Sequence, residues 1–163
     1  MKASAMIVEA NSILQFAARL AGIGLLAFAA AHPAYATLGG AEMTVLADQT
    51  QTGATLRTVY GAKYTMHELQ VPAGTMVREY IAPTGVVFAV AWQGPSMPDL
   101  RQLLGARFDQ YVAAVAARRN VRGPVSMQLP GLVVQSSGHM RSFAGRAYVP
   151  ESLPQGVSAD ELR

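Results

Sequence analysis

The sequence predicts an α+β domain in which an antiparallel sheet carries one long amphipathic helix on one of its faces. The sheet is expected to consist of a meander of three strands, then, after the helix, two or three further strands. Three observations predict this. Short apolar segments divided by Pro/Gly turns run from Tyr64 to Trp92, as in an antiparallel meander. A single stretch of helical apolar periodicity follows, from Leu100 to Val115. Strand-like segments then resume up to Val149, and the order strands, helix, strands belongs to α+β rather than alternating parallel architectures.

The chain opens with a loosely polar region carrying Lys2 and Arg19, an apolar run from Leu20 to Ala31, and the small-x-small triplet Ala34-Tyr35-Ala36. That sequence of regions describes a secretory signal, residues 1–36, leaving residues 37–163 as one small domain. The apolar run is shorter than the roughly 20 residues of a spanning helix, although an uncleaved anchor that recruits Ile13 to Ala18 is the alternative. The stretch Ala41 to Ala54 is weakly patterned, a short helix or an irregular lead-in that Gly53 ends. Tyr64–Val71 and Thr75–Ala82 read as strands joined by Pro72-Ala73-Gly74, and Pro83-Thr84-Gly85 turns the chain into Val86–Trp92. This third run is apolar on both faces, the mark of a central strand covered on both sides.

Ser96-Met97-Pro98-Asp99 supplies an N-cap serine, a proline in the first turn and an acid three residues after the cap. Leu100, Leu103, Leu104, Phe108, Tyr111, Val112 and Val115 then form one apolar stripe, with Arg101, Gln102, Asp109 and Gln110 opposite. Beyond the helix, Val125–Leu129, Leu132–Ser136 and Met140–Val149 read as strands, the last two separated by Ser137-Gly138. The tail carries Pro150 and Pro154 and ends in Ser158-Ala159-Asp160-Glu161, a capping-box pattern with little room for a helix after it.

Composition narrows the chemistry. There is no cysteine, which removes thiolate catalysis, cysteine-based metal sites and lipid attachment through cysteine. Of the net charge of +3, residues 1–36 contribute +1 (Lys2 and Arg19 against Glu9), and the +2 left to residues 37–163 is too small to argue for nucleic-acid binding, which export argues against independently. No nucleophile elbow, metalloprotease helix or phosphate loop occurs, so no catalytic residue and no cofactor are assigned. His67 and His139 sit beside Met66 and Met140, which raises a copper site, but neighbouring strand residues point to opposite faces. Glu68 and Glu79 lie on neighbouring strands, as a hydrolytic carboxylate pair would, or as cross-strand partners of arginines such as Arg78. Arg78, Tyr80 and Trp92, on adjacent strands, form a candidate binding surface if the register puts them on one face, although Trp92, ending the most apolar strand, better suits packing beneath the helix. Arg141, Arg146 and Tyr148 make a second polar-aromatic group.

Several segments are specific enough to carry a resemblance. Ala36-Thr37-Leu38-Gly39-Gly40, Tyr64-Thr65-Met66-His67-Glu68, Val77-Arg78-Glu79-Tyr80 and Gly85 through Pro95 are similar to the bacterial family known as domain of unknown function 2844. So are Met97-Pro98-Asp99-Leu100, Leu103-Leu104-Gly105, Gly138-His139-Met140-Arg141, Gly145 through Pro150 and Gly156 through Asp160. The resemblance implies an exported, periplasmic protein with no assigned activity and no catalytic residues to carry over. The expected function is a non-enzymatic accessory or binding module whose partner is an envelope protein or a small ligand. An envelope hydrolase using Glu68, Glu79 or His67 and a Met/His metal binder are the alternatives.

Overall fold

The most apolar run of the chain lies in the middle of a seven-stranded antiparallel sheet. The computed structural model describes residues 38–42, 53–118 and 123–163; the expected signal (1–36) and most of the lead-in (43–52) lie outside the described residues. The strands are β1 (Thr55–Tyr60), β2 (Thr65–Gln70), β3 (Met76–Ile81), β4 (Val87–Gly94), β5 (Val125–Leu129), β6 (Leu132–His139) and β7 (Ser142–Tyr148). Their order is β1-β2-β3-β4-β7-β6-β5, which puts β4 at the centre. The expected meander is β2–β3–β4, to which β1 adds an edge strand ahead of it.

Strand parity divides the side chains into two layers. Leu69, Val77, Val90, Trp92, Val134 and Ala147 face Leu103 and Leu104 of the helical segment. Tyr80, Phe88, Ala89 and Ala91 face the opposite way, where Leu162, Leu153 and Val157 cover them. The C-terminal segment therefore forms the second cover that a strand apolar on both sides requires. A bulge adjusts the boundary. Tyr80 pairs with Ala89 and Ile81 with Val87, so Phe88 is the extra residue, and Val87 and Phe88 are buried in opposite layers.

The helical segment departs from the expected single helix. Asp99, not Ser96, is the N-cap: its carboxylate accepts from the backbone N–H of Arg101 at 2.8 Å and of Gln102 at 3.3 Å. Ser96 instead joins Thr75, whose hydroxyl donates to the Ser96 carbonyl at 2.8 Å. Helix α1 (Leu100–Leu104) stops at Gly105, whose φ is +52°, and a 3₁₀ turn (Gly105–Arg107) leads into α2 (Phe108–Ala117). Leu103 and Leu104 are buried and Phe108 and Tyr111 half-buried against the sheet, but Val112 and Val115 are 45% and 40% exposed. The expected stripe is thus split. Among the described residues no helix is long and apolar enough to cross a membrane.

Two turns also differ from expectation. Gly138 lies inside β6, opposite Phe143, and the turn is Met140-Arg141, both at positive φ (34° and 69°). A two-residue hairpin turn of this kind matches the twist of the strands it joins. The capping box at Ser158 does form, and it closes one 3₁₀ turn, Ala159–Glu161. At the other end, the segment 38–42 docks onto the domain. Leu38 is buried and donates to the Leu103 carbonyl, Gly39 and Gly40 exchange backbone bonds with Val87, and Arg107 donates to the Leu38 carbonyl at 2.7 Å.

Candidate functional site

Register decides which candidate residues meet. Arg78 pairs with Ala91, whereas Trp92 pairs with Val77, so Arg78 and Tyr80 occupy one face and Trp92 the other. The three do not form a common surface. Trp92 packs in the helix-facing layer, 2% exposed, with its ring across Gly145, where a Cβ would collide with the indole. Arg78 and Tyr80 grip the C-terminal segment: Arg78 Nη1 donates to the main-chain oxygen of Arg163 at 2.8 Å. The Tyr80 hydroxyl donates to the same oxygen at 3.0 Å and accepts from the Arg163 N–H at 3.1 Å. Burial pushes the Tyr80 phenol above its ordinary pKa. Arg141 lies apart from them, exposed in the turn between β6 and β7.

The two carboxylates are separated in the same way. Glu68 pairs with Arg78 across β2 and β3, at 2.9 Å to its Nε, and with Arg57 at 3.4 Å. Glu79 points into the opposite layer, directly across from His67. Two acids on opposite faces of one sheet cannot flank a glycosidic bond. His67 is 5% exposed, with Nε2 3.5 Å from Glu42 Oε1. Burial lowers its pKa, and the Glu42 charge acts in the raising direction. His139 ends β6 on the surface, with β7, β4 and β3 between it and β2. Among the described residues no three His, Asp or Glu side chains are grouped to hold a metal ion.

The structure brings together a different group. At one end of the sheet the β2–β3 turn meets the chain leaving β4. The approach is so close that a Cβ on Gly94 would collide with the Thr75 backbone. Between these segments and the start of α1 lies a cleft of about 270 Å³. Leu69, Val71, Val77 and Leu103 give it apolar walls. Ala73, Met97 and Asp99 form an exposed rim, and Thr75 and Glu79, each 1% exposed, form the inner end. An apolar recess with a few placed polar groups is the usual form of a small-molecule site.

A second depression, of about 470 Å³, is more open and more polar, with Gln93, Ser126, Gln135, Ser137 and Arg146 on its walls. It is lined by two cations, Arg146 and Arg163, and both are engaged within the chain, Arg163 Nε donating to the main-chain oxygen of Asp160 at 3.4 Å. Arg146 donates to Gln135 at 2.7 Å, to the main-chain oxygen of Ala159, and to Asp160 at 3.2 Å. That arginine fastens the C-terminal segment and leaves less charge for a ligand.

Of the candidate residues in the sequence, Glu79 alone lines the cleft. Thr75, Ser96, Asp99 and Gln102 have the sequence character of turn and cap residues, and only the meeting of two distant turns makes them neighbours of Glu79. A family model described as "Protein of unknown function (DUF2844)" matches residues 34–162. No curated protein and no solved structure matches the chain.

Proposed function

The chain belongs to the family described as protein of unknown function (DUF2844), and from that premise we propose that it is an exported, non-enzymatic binding protein that holds a small ligand in the cleft between β2–β3 and α1. The observation that carries the reading is the recess itself: apolar walls around a volume of about 270 Å³, ending on a carboxylate that is 1% exposed. A recess with apolar walls that ends on placed polar groups, Thr75 and Glu79, has the form of a small-molecule recognition site. A binding rather than hydrolytic role is supported by Glu68 and Glu79 pointing to opposite faces. Export to the periplasm is supported by the signal-like arrangement of residues 1–36.

Two experiments test this. Methyl-labelled protein titrated with 1-pentanol is expected to show shifts confined to Leu69, Val71, Val77 and Leu103, and these shifts disappear in Ala73→Trp, which fills the rim. Shifts that survive the substitution, or scatter over the surface, reject the cleft. For export, protein recovered from the periplasmic fraction is expected to begin at Thr37. A full-length chain found only in membranes rejects it.

A further inference from the structure

The turn between β6 and β7 is built from residues that do not suit it. Met140 and Arg141 both hold positive φ, 34° and 69°, where a two-residue hairpin turn favours Asn-Gly. A residue with a Cβ crowds the following carbonyl in that conformation. Met140 is also 97% exposed, the most exposed large apolar side chain among the described residues. Arg141 stands beside it, exposed and without an ion pair among the described residues. This tip lies at the same end of the sheet as the cleft. Gln93 pairs with Met76, just past the β2–β3 turn, and the next residue, Gly94, pairs with Phe143, just past the tip. The strand order sets β2 and β3 on one flank of β4, with the cleft, and β7 and β6 on the other, with the tip.

We infer that a second copy of this chain seats its Met140 in the cleft, with its Arg141 against Asp99 at the rim, and that the exchange is reciprocal. This rests on the cleft as the binding site and adds a protein occupant that a small ligand displaces. A two-fold axis normal to the sheet, at the end of β4, carries each flank of one sheet onto the opposite flank of the other. Both tips then meet both clefts, and the assembly closes as a dimer. Methionine suits such a recess, because an unbranched thioether with three rotatable bonds adapts to irregular apolar walls, here Leu69, Val71, Val77 and Leu103. Both cap bonds of Asp99 go to Oδ1, which leaves Oδ2 at the exposed rim to accept from a guanidinium. The edge strand β1 is a poorer place for a second copy, since Arg57, with its side chain 76% exposed, would stand near its own counterpart. Two tips and two clefts make an interface below the roughly 1,200 Å² of stable complexes, so the association is weak.

The test is sedimentation of the intact protein from about 10 µM to about 1 mM near neutral pH, a range that covers weak association. Dimer content is expected to rise across it, with the Met140 methyl of one copy giving NMR cross-peaks to Leu69 and Leu103 of the other in mixed-label samples. Met140→Ala, Arg141→Glu and Ala73→Trp are each expected to weaken the dimer about tenfold or more. Met140→Asn combined with Arg141→Gly, the pair that suits the turn, is expected to raise the melting temperature while abolishing the dimer. A dimer that survives this double substitution, or one whose cross-peaks run along the edge strand β5 instead, overturns the inference. Saturating 1-pentanol is expected to dissociate the dimer, and a dimer indifferent to it overturns the inference as well. A chain that stays monomeric while 1-pentanol still moves the cleft methyls rejects the second copy and leaves the ligand site standing. A monomeric chain whose cleft methyls never move rejects both.

Discussion

At the scale of the residue, His67 links the cleft face to folding. It is buried, Glu42 approaches its Nε2, and Glu79 and Thr58 stand opposite it on the flanking strands. Burial lowers its pKa against the partial opposition of Glu42, so the unfolded chain takes up the proton at higher pH than the folded one. Above the unfolded value of about 6.5 the imidazole is neutral in both states and pH changes nothing through it. As pH falls through that value the unfolded state gains the proton first and stability declines, until the folded pKa is reached. Urea midpoints measured across pH should therefore fall on acidification, with a smaller decline in His67→Gln. Glu42→Gln should extend the decline to lower pH, because it removes the raising charge. Identical profiles for all three proteins would refute this account. The burial of Glu79 is legible in the chain: it falls two residues from both Val77 and Ile81 and so shares their core-facing parity. Glu68 shares the parity of Met66, on the other face. What the chain does not display is the register, and without it the separation of Trp92 from Arg78 and Tyr80 stays hidden.

Elements obey the same logic of phase. The apolar spacing from Leu100 to Val115 is helical throughout, and an uninterrupted helix would place it in one stripe. Gly105 breaks the run: at φ 52° and ψ −125° it lies outside the helical region, so α2 continues neither the axis nor the phase of α1. Val112 and Val115, beyond the break, lie exposed, while Leu103 and Leu104, before it, stay in the core. Substitution distinguishes the two arrangements. Leu104→Ala is expected to cost about 2–5 kcal/mol, as for a buried leucine, whereas Val112→Gln and Val115→Gln should each change stability by less than about 0.5 kcal/mol. Equal losses at all three positions, measured by urea denaturation, would restore the single stripe. The edge strand β1 escapes a reading of the sequence for a related reason. Its Thr55, Arg57 and Tyr60 are exposed and the residues between them only half-buried, and an edge strand bordering water lacks the strong alternation that marks β2 and β3.

Over the whole molecule, the sheet is a layer that needs two covers, and the chain supplies them by different means. One is the helical segment, legible from its periodicity. The other is the C-terminal segment, whose prolines and lone capping box give no periodic signal, although the doubly apolar β4 requires something on that face. This second cover is held from both directions. Leu162, 1% exposed, enters the layer of Tyr80, Phe88 and Ala91, while Arg78, Tyr80 and Arg146 bind the main chain around it. The polar grips fix where the segment lies, and the burial of Leu162 is its largest single contribution, since each hydrogen bond nets only about 1 kcal/mol against its exchange with water. Leu162→Ala should then cost about 2–5 kcal/mol, and Arg78→Ala, at a partly exposed site, distinctly less. Amide exchange locates the damage: in Leu162→Ala, protection should fall first from Pro150 to Arg163 and stay high in the helix-facing layer. A loss confined to the helical segment, or a larger penalty for Arg78→Ala than for Leu162→Ala, would show that the arginine grip rather than the apolar contact closes this side of the sheet.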